Sequence, residues 1–168
     1  MISHLQKLLY EECDKMINDY MNIAINEAKK AYQKGEVPVG AVIIKEGKII
    51  AKAHNQKESK NSVLAHAEII AIKKASKKLK NWRLNDCEIY ITLEPCPMCA
   101  SAIQQARIKK VYYGCEISES ENSKIINRIF STTNRNQKID KVENIKNEKC
   151  KKIIQTFFQE KRNKTNVR

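Results

Sequence analysis

Two short stretches of the chain carry side chains that could do chemistry together. His66 and Glu68 lie two residues apart at the edge of an apolar run. Cys96 and Cys99 follow in the run PCPMC, three residues apart. Two thiolates and one imidazole are a good ligand set for zinc, with a fourth position free for water. In such a site Glu68 need not be a ligand and can act as the acid and base that moves protons.

Each stretch also has an ordinary interpretation on its own. A histidine and a glutamate in HxE spacing are often part of a helix cap, and a CxxC pair is ambiguous between redox activity, structural zinc and no function. Iron–sulfur binding is disfavoured, because four clustered cysteines are missing. The other four cysteines have no such neighbours, and we interpret them as small core residues: Cys13, Cys87, Cys115 and Cys150.

The elements that carry these residues constrain the geometry. Asn61 or Ser62 can cap a helix from about Leu64 to Lys78, and Pro97 suits the first turn of a second helix. Residues i and i+2 of a helix point about 200° apart, so His66 and Glu68 converge only at the helix end. We therefore expect two helix starts to face each other across a metal.

The rest of the chain alternates between helical and strand patterns. The helices are expected at 17–34, 64–78, 98–106, 124–130 and 148–161, and the strands at 39–44, 49–53, 88–93, 109–114 and 138–143. This alternation predicts an α/β architecture with at least some parallel pairing. Residues 1–16 form an N-terminal extension, which can be an amphipathic helix with Leu5, Leu8 and Leu9 as its apolar positions.

Composition favours one domain spanning residues 1–168 and a polyanionic partner. The net charge is +13, and residues 103–168 alone carry 16 basic against 7 acidic residues, a net of +9. A codon bias toward lysine explains such a charge equally well. No run approaches 18 apolar residues, and the N-terminus fits no secretory or organellar leader, so we expect a cytoplasmic protein without a membrane span.

Beyond the two motifs, the sequence resembles the bacterial-type tRNA-specific adenosine deaminases of the cytidine deaminase-like zinc deaminase superfamily. The HxE and PCxxC motifs match the zinc deaminase signature. Further matching runs are GEVPVGAVII, AHN, AHAEIIAI, NWRLND, EIYITLEPCPMCASAI and ARIKKVYYG, between about Met21 and Arg162. The resemblance implies a three-layer cytidine deaminase-like fold, with a mixed five-stranded sheet flanked by helices. It also implies a homodimer whose subunits jointly bind the tRNA anticodon arm.

The resemblance also implies a role for each site residue. His66, Cys96 and Cys99 would hold one Zn²⁺ per subunit, and no organic cofactor is expected. Zinc-bound hydroxide would attack C6 of the wobble adenosine, and Glu68 would shuttle protons until ammonia leaves and inosine remains. Asn55 would hydrogen-bond the target nucleotide, and Val37 would line the base pocket. A plain turn role for Asn55 stays open.

The sequence leaves several alternatives. In the loop 115–124, Ile117 stands where the family has an aspartate, and the usual glycines are absent, which bears on substrate range. A small-molecule deaminase acting on cytosine, guanine or a nucleoside is the alternative function, and it would need no basic surface. A structural zinc module is disfavoured because Glu68 is present. The basic C-terminal helix and tail, residues 148–168, can contact phosphates or simply be solvated.

Overall fold

The structure is a computed structural model that describes residues 4–116, 121–132, 139–142 and 145–165. Its helices are α1 His4–Gln33, α2 Ala67–Leu79, α3 Pro97–Gln105, α4 Glu121–Ser131 and α5 Asn147–Thr165. Its strands are β1 Gly40–Lys45, β2 Lys48–His54, β3 Cys87–Leu93, β4 Lys110–Cys115 and β5 Asp140–Val142. Ile117, on which the prediction about the divergent loop rests, lies outside the described residues.

The five strands form one mixed sheet in the order β2-β1-β3-β4-β5. Strand β1 pairs antiparallel with both β2 and β3, whereas β3–β4 and β4–β5 are parallel pairs. The prediction of a mixed five-stranded sheet flanked by helices is therefore confirmed. The two parallel pairs place the carboxyl ends of β3, β4 and β5 at the same edge of the sheet.

The core lies on both faces of this sheet, because successive side chains of a strand point to opposite faces. Ala41 and Ile43 of β1 pack in a cluster with buried residues of α2, α3 and α4. Val42 and Ile44 pack on the other face in a cluster with α1 and α5. At Gly40 a Cβ atom would lie 2.0 Å from the carbonyl oxygen of Ala24, so only glycine lets α1 approach β1 so closely.

Helix α1 is longer than the pattern predicted. It runs unbroken from His4 to Gln33, and the predicted N-terminal extension is its first half instead of a separate helix. No glycine or proline interrupts residues 4–33, so nothing in the chain stops the helix before Gly35. Leu8 and Leu9 are 46% and 60% exposed, so the described ranges of the chain leave these apolar positions largely uncovered.

The start of α2 was predicted too early. The helix begins at Ala67, not Leu64, because the preceding residues form hydrogen-bonded turns. The hydroxyl of Ser62 accepts a bond from the Leu64 N–H instead of capping the helix, and the Gln56 N–H donates to the Ala65 carbonyl. Within the described ranges, no helix is long and apolar enough to cross a membrane.

Candidate active site

Helices α2 and α3 each begin at a candidate metal ligand. His66 is the N-cap residue of α2 and Cys96 is the N-cap residue of α3. Both have extended backbones, with φ −71° and ψ 149° at His66 and φ −68° and ψ 165° at Cys96. The His66 imidazole makes no capping hydrogen bond to its own helix, so it remains available for a ligand. The first turn of α3 then supplies Cys99, which is fully buried.

The three donor atoms lie close enough to share one ion. Nδ1 of His66 is 3.8 Å from Sγ of Cys96 and 3.5 Å from Sγ of Cys99, and all three donors lie within 4.8 Å of one another. Tetrahedral zinc with ordinary Zn–S and Zn–N bonds separates nitrogen and sulfur ligands by about 3.6 Å. The donor types and their spacing therefore fit Zn²⁺ with three protein ligands.

The two thiols differ in acidity because they share a hydrogen bond. The bond from Cys99, together with backbone N–H groups of Cys99 and Met98, lowers the pKa of Cys96 to about 5. The same interaction and burial raise the pKa of Cys99. The hydrogen bonds that Cys96 receives at the start of α3 therefore favour its thiolate form, as expected at a helix N-terminus.

Glu68 lies beside these donors and is almost completely buried, with 4% of its surface exposed. Burial raises the pKa of its carboxyl group, and the nearby Cys96 charge acts in the same direction. The carboxyl group also forms hydrogen bonds with its own backbone N–H and with the Cys99 thiol. A divalent cation held by the three donors would lower this pKa again, which makes Glu68 a group that can both take up and release a proton.

Asn55 and Val37, the two predicted substrate contacts, are joined by a hydrogen bond. Asn55 follows β2 directly and is 6% exposed, and its Nδ2 donates to the Val37 carbonyl oxygen across 3.3 Å. That bond fixes the orientation of the amide group, so the other end, Oδ1, is an acceptor. Oδ1 is buried and has no hydrogen-bond partner among the residues that the structure describes. Buried acceptors without partners are rare, and this one favours a ligand over a plain turn role.

Sequence reasoning missed a buried carboxylate that holds the loop before His66. Glu36 is 1% exposed, and its oxygens accept the backbone N–H groups of Glu58 and Ser59 at 3.0 and 2.7 Å. Burial acts to raise the pKa of Glu36, but these hydrogen bonds outweigh it and hold the pKa below its ordinary value. The available signal was an acid immediately before the apolar run VPVGAVII.

A second missed group is the buried pair of Glu27 and His54. The carboxylate of Glu27 lies 3.0 Å from Nδ1 of His54 and 2.6 Å from the Lys30 ammonium. Burial acts to raise the pKa of Glu27, and the bonds from Lys30 and His54 lower it below its ordinary value. Because His54 precedes Asn55, this pair anchors the end of β2 to helix α1 and so supports the position of Asn55.

Comparison with known proteins agrees with this geometry. Residues 14–115 match the family model of the cytidine and deoxycytidylate deaminase zinc-binding region. That range contains His66, Cys96 and Cys99, and the chain binds one Zn²⁺ per subunit.

Individual relatives are similar over most of the chain. A tRNA-specific adenosine deaminase of Bacillus subtilis (strain 168) is 42% identical over 145 residues, which cover 86% of this chain and 90% of the relative. A solved structure from work on A-to-I editing by tRNA:A34 deaminases is 36% identical, with a TM-score of 0.74 and coverage of 80% and 98% of the two chains.

A guanine deaminase structure from Bacillus subtilis is 43% identical with a TM-score of 0.56, but the match covers only 58% of this chain and 63% of that chain. The similarity to the tRNA deaminases therefore extends further along both chains. The family model, the relatives and the donor geometry agree: this chain belongs to the tRNA-specific adenosine deaminase family of zinc-dependent deaminases.

Proposed function

We propose that this protein converts the wobble adenosine, A34, in the anticodon loop of tRNA to inosine. The observation that carries the proposal is the group of His66, Cys96 and Cys99 with Glu68 beside it, in a chain 42% identical to a tRNA-specific adenosine deaminase. The reaction consumes one water molecule, forms a C6–O bond, breaks the C6–N bond of adenine and releases ammonia.

Zinc binding and water activation fit the donors described above. When bound at His66, Cys96 and Cys99, Zn²⁺ supplies Lewis acidity that makes water a nucleophile near neutral pH. Cys99, in the first turn of α3, is fully buried, and His66 is only partly exposed, so both ligands are held by packed elements. Such packing keeps the ligand atoms in place during turnover.

Glu68 is the proton shuttle in this proposal. Its carboxyl group takes a proton from the attacking water and delivers it to N1 of adenine, which makes C6 more electrophilic. It then takes the remaining proton from the new C6 hydroxyl group and transfers it to the departing amino group, which leaves as ammonia. The burial of Glu68 beside the donors supports this role, because a desolvated carboxyl group has a pKa closer to working pH.

Asn55 and Val37 bind the target nucleotide. The free Oδ1 of Asn55 accepts a hydrogen bond from an N–H or O–H group of that nucleotide, and the half-exposed Val37 side chain contacts the base. The Nδ2 bond to the Val37 carbonyl links the polar and apolar contacts in one rigid unit. An anticodon loop presents unpaired bases, so placing one of them in this pocket costs little compared with a duplex.

The partner in this proposal is the tRNA anticodon arm, bound by a homodimer. The net charge of +13 supports a polyanionic partner, and Arg162 and Lys164 are exposed near the end of α5. Light scattering at several concentrations tests the dimer, whose mass is twice 19.4 kDa. A mass of one chain at micromolar concentration would exclude it.

The test of the function is incubation of the zinc-loaded protein with unmodified tRNA and, separately, with free adenosine, cytosine and guanine. We expect inosine at the wobble position of tRNA and no conversion of the free compounds. Deamination of a free base or nucleoside without deamination of tRNA would favour the alternative of a small-molecule deaminase. The guanine deaminase that matches part of the chain is an enzyme of that kind. The Glu68→Ala protein, prepared identically, is the control for contaminating deaminases.

A further inference from the structure

The first half of helix α1 is exposed, although Cys13 and Met16 border a pocket on the sheet. We call residues 6–16 the arm: every one of them is exposed, although the same helix is buried against the sheet from Met21 onward. Its exposed side chains include Leu9 at 60%, Tyr10 at 65% and Met16 at 52%. Four exposed large apolar residues, Leu8 among them, on eleven helical positions are typical of an interaction surface.

The arm also differs from the rest of the chain in charge. Glu11, Glu12 and Asp14 form an acidic cluster, and with Lys7 and Lys15 the arm has a net charge of −1. The whole chain, by contrast, carries +13. An acidic and apolar helix on a basic protein is better suited to a basic protein surface than to a nucleic acid.

A groove of about 600 Å³ between α1 and α5 has the complementary properties. The groove residues that matter here are an apolar set, Ile25, Tyr32 and Ile153, and a basic set, Lys29, Lys149 and Lys152. The edge-to-face contact of Tyr32 with Phe157, at a centroid distance of 5.8 Å, ties the two helices together beneath it. No acidic residue is among the groove residues in the part of the chain that the structure describes.

The arm cannot reach the groove of its own chain. Arm and groove share helix α1, and Leu9 and Lys29 are separated by twenty residues, or roughly 30 Å along the helix axis. A continuous helix does not fold back on itself, so the arm must bind a groove on another molecule. The groove on a second copy matches the arm in both polarity and charge.

We propose that the arm of one copy docks in the α1–α5 groove of a second copy, and that the second copy's arm docks in return. The two α1 helices then run antiparallel, so that the acidic cluster of each faces the lysines of the other. Such reciprocal contact is self-complementary and closes at two copies. It buries the exposed leucines of both arms, which supplies the driving force, while the charges fix the direction of docking.

Chemical cross-linking between two distinguishable copies tests this contact directly. Cys13 is exposed and lies in the arm, whereas Cys96 is partly exposed. A tagged Cys13→Ser copy therefore measures the background reaction of Cys96. A tagged copy with its native Cys13 is mixed with an untagged Cys13→Ser, Gln33→Cys copy, whose new thiol lies in the groove. The matched control copy is Cys13→Ser, Lys73→Cys, with an exposed thiol on α2, across the sheet from the groove.

A short bismaleimide should join the tagged copy to the groove variant at least about ten times faster than to the control. Glu11→Lys with Glu12→Lys in the tagged copy should cut that rate at least about tenfold, and Lys149→Glu with Lys152→Glu in the other copy should restore it. Equal rates with groove and control variants would overturn the proposal. Charge reversal without effect on the cross-linking rate would overturn it as well. The measurement needs neither zinc nor tRNA, so its outcome does not depend on the proposed function.

Discussion

His66 and Cys96 occupy equivalent positions in two helices that meet at one point. Each is the residue at which its helix begins, and the donor atoms of the two residues lie 3.8 Å apart. The amino ends of α2 and α3 therefore face each other across the donor group, and both helix dipoles favour negatively charged ligands there. This arrangement explains why Glu68, the second residue of α2, lies beside the donors without being one of them.

Replacing Glu68 by glutamine should separate catalysis from metal binding. Glu68→Gln keeps the size of the side chain but removes the group that accepts and releases the proton. We expect kcat for tRNA deamination to fall at least about a hundredfold, with zinc content unchanged by elemental analysis. Activity within a few-fold of the wild-type protein would contradict the proton-shuttle role.

Removing a thiol should lower the zinc content, which Glu68→Gln leaves unchanged. Cys99→Ser takes away one donor from a fully buried position, so we expect zinc content well below one per chain and a lower Tm. The buried Cys87 on β3 provides a matched control, because Cys87→Ser alters the core without touching the donors. Full zinc occupancy in Cys99→Ser would show that this thiol is not a ligand.

Asn55→Ala tests the unpartnered carbonyl oxygen next to the site. The substitution removes an acceptor for the nucleotide and a donor for the Val37 carbonyl. A buried hydrogen bond that is not made costs about 1–3 kcal/mol, so we expect kcat/KM to fall by about 10- to 100-fold. Steady-state kinetics on an anticodon stem-loop measure it. The exposed Asn85, with Asn85→Ala, serves as the control.

Glu36 should make the free energy of unfolding depend on pH. Its pKa is held below the ordinary value in the folded protein, so its contribution is present above about pH 4.5 and is lost as pH falls through the folded pKa. Glu36→Gln should lower the free energy of unfolding by about 1–3 kcal/mol at pH 7 and by less in acid. Urea titrations at several pH values compare it with Glu58→Gln, an exposed control. A pH-independent difference would contradict the assignment.

The exposed cations at the end of α5 should contribute to tRNA affinity through phosphates. We expect Arg162→Gln with Lys164→Gln to weaken tRNA binding and to reduce the slope of log K against log salt by about 0.7 to 0.9 for each lost phosphate contact. The control is Lys48→Gln, at the first residue of β2 and so at the opposite end of that strand from Asn55. A slope equal to that of the wild-type protein would show that these two cations contact no tRNA phosphate.

The ligand set and the class of fold could be predicted because their signals are local. The spacing of Cys96 and Cys99 and the proline between them indicate a helix start, and the i, i+2 spacing of His66 and Glu68 requires a site at a helix end. Alternating strand and helix patterns predicted an α/β architecture with some parallel pairing, and the family resemblance implied the mixed five-stranded sheet. Backbone geometry over a few residues is sufficient for each of these inferences.

Only the tertiary structure decided the exact start of α2, the loop support from Glu36 and the unpartnered oxygen of Asn55. Each of these depends on which distant groups complete a residue's hydrogen bonds, and sequence spacing carries no information about that. The same holds for the arm: the sequence showed an apolar pattern in residues 1–16, but it did not show that residues 6–16 are exposed in the fold. Burial is a property of the whole fold, so the exposure of Leu8 and Leu9 does not follow from their own residue types.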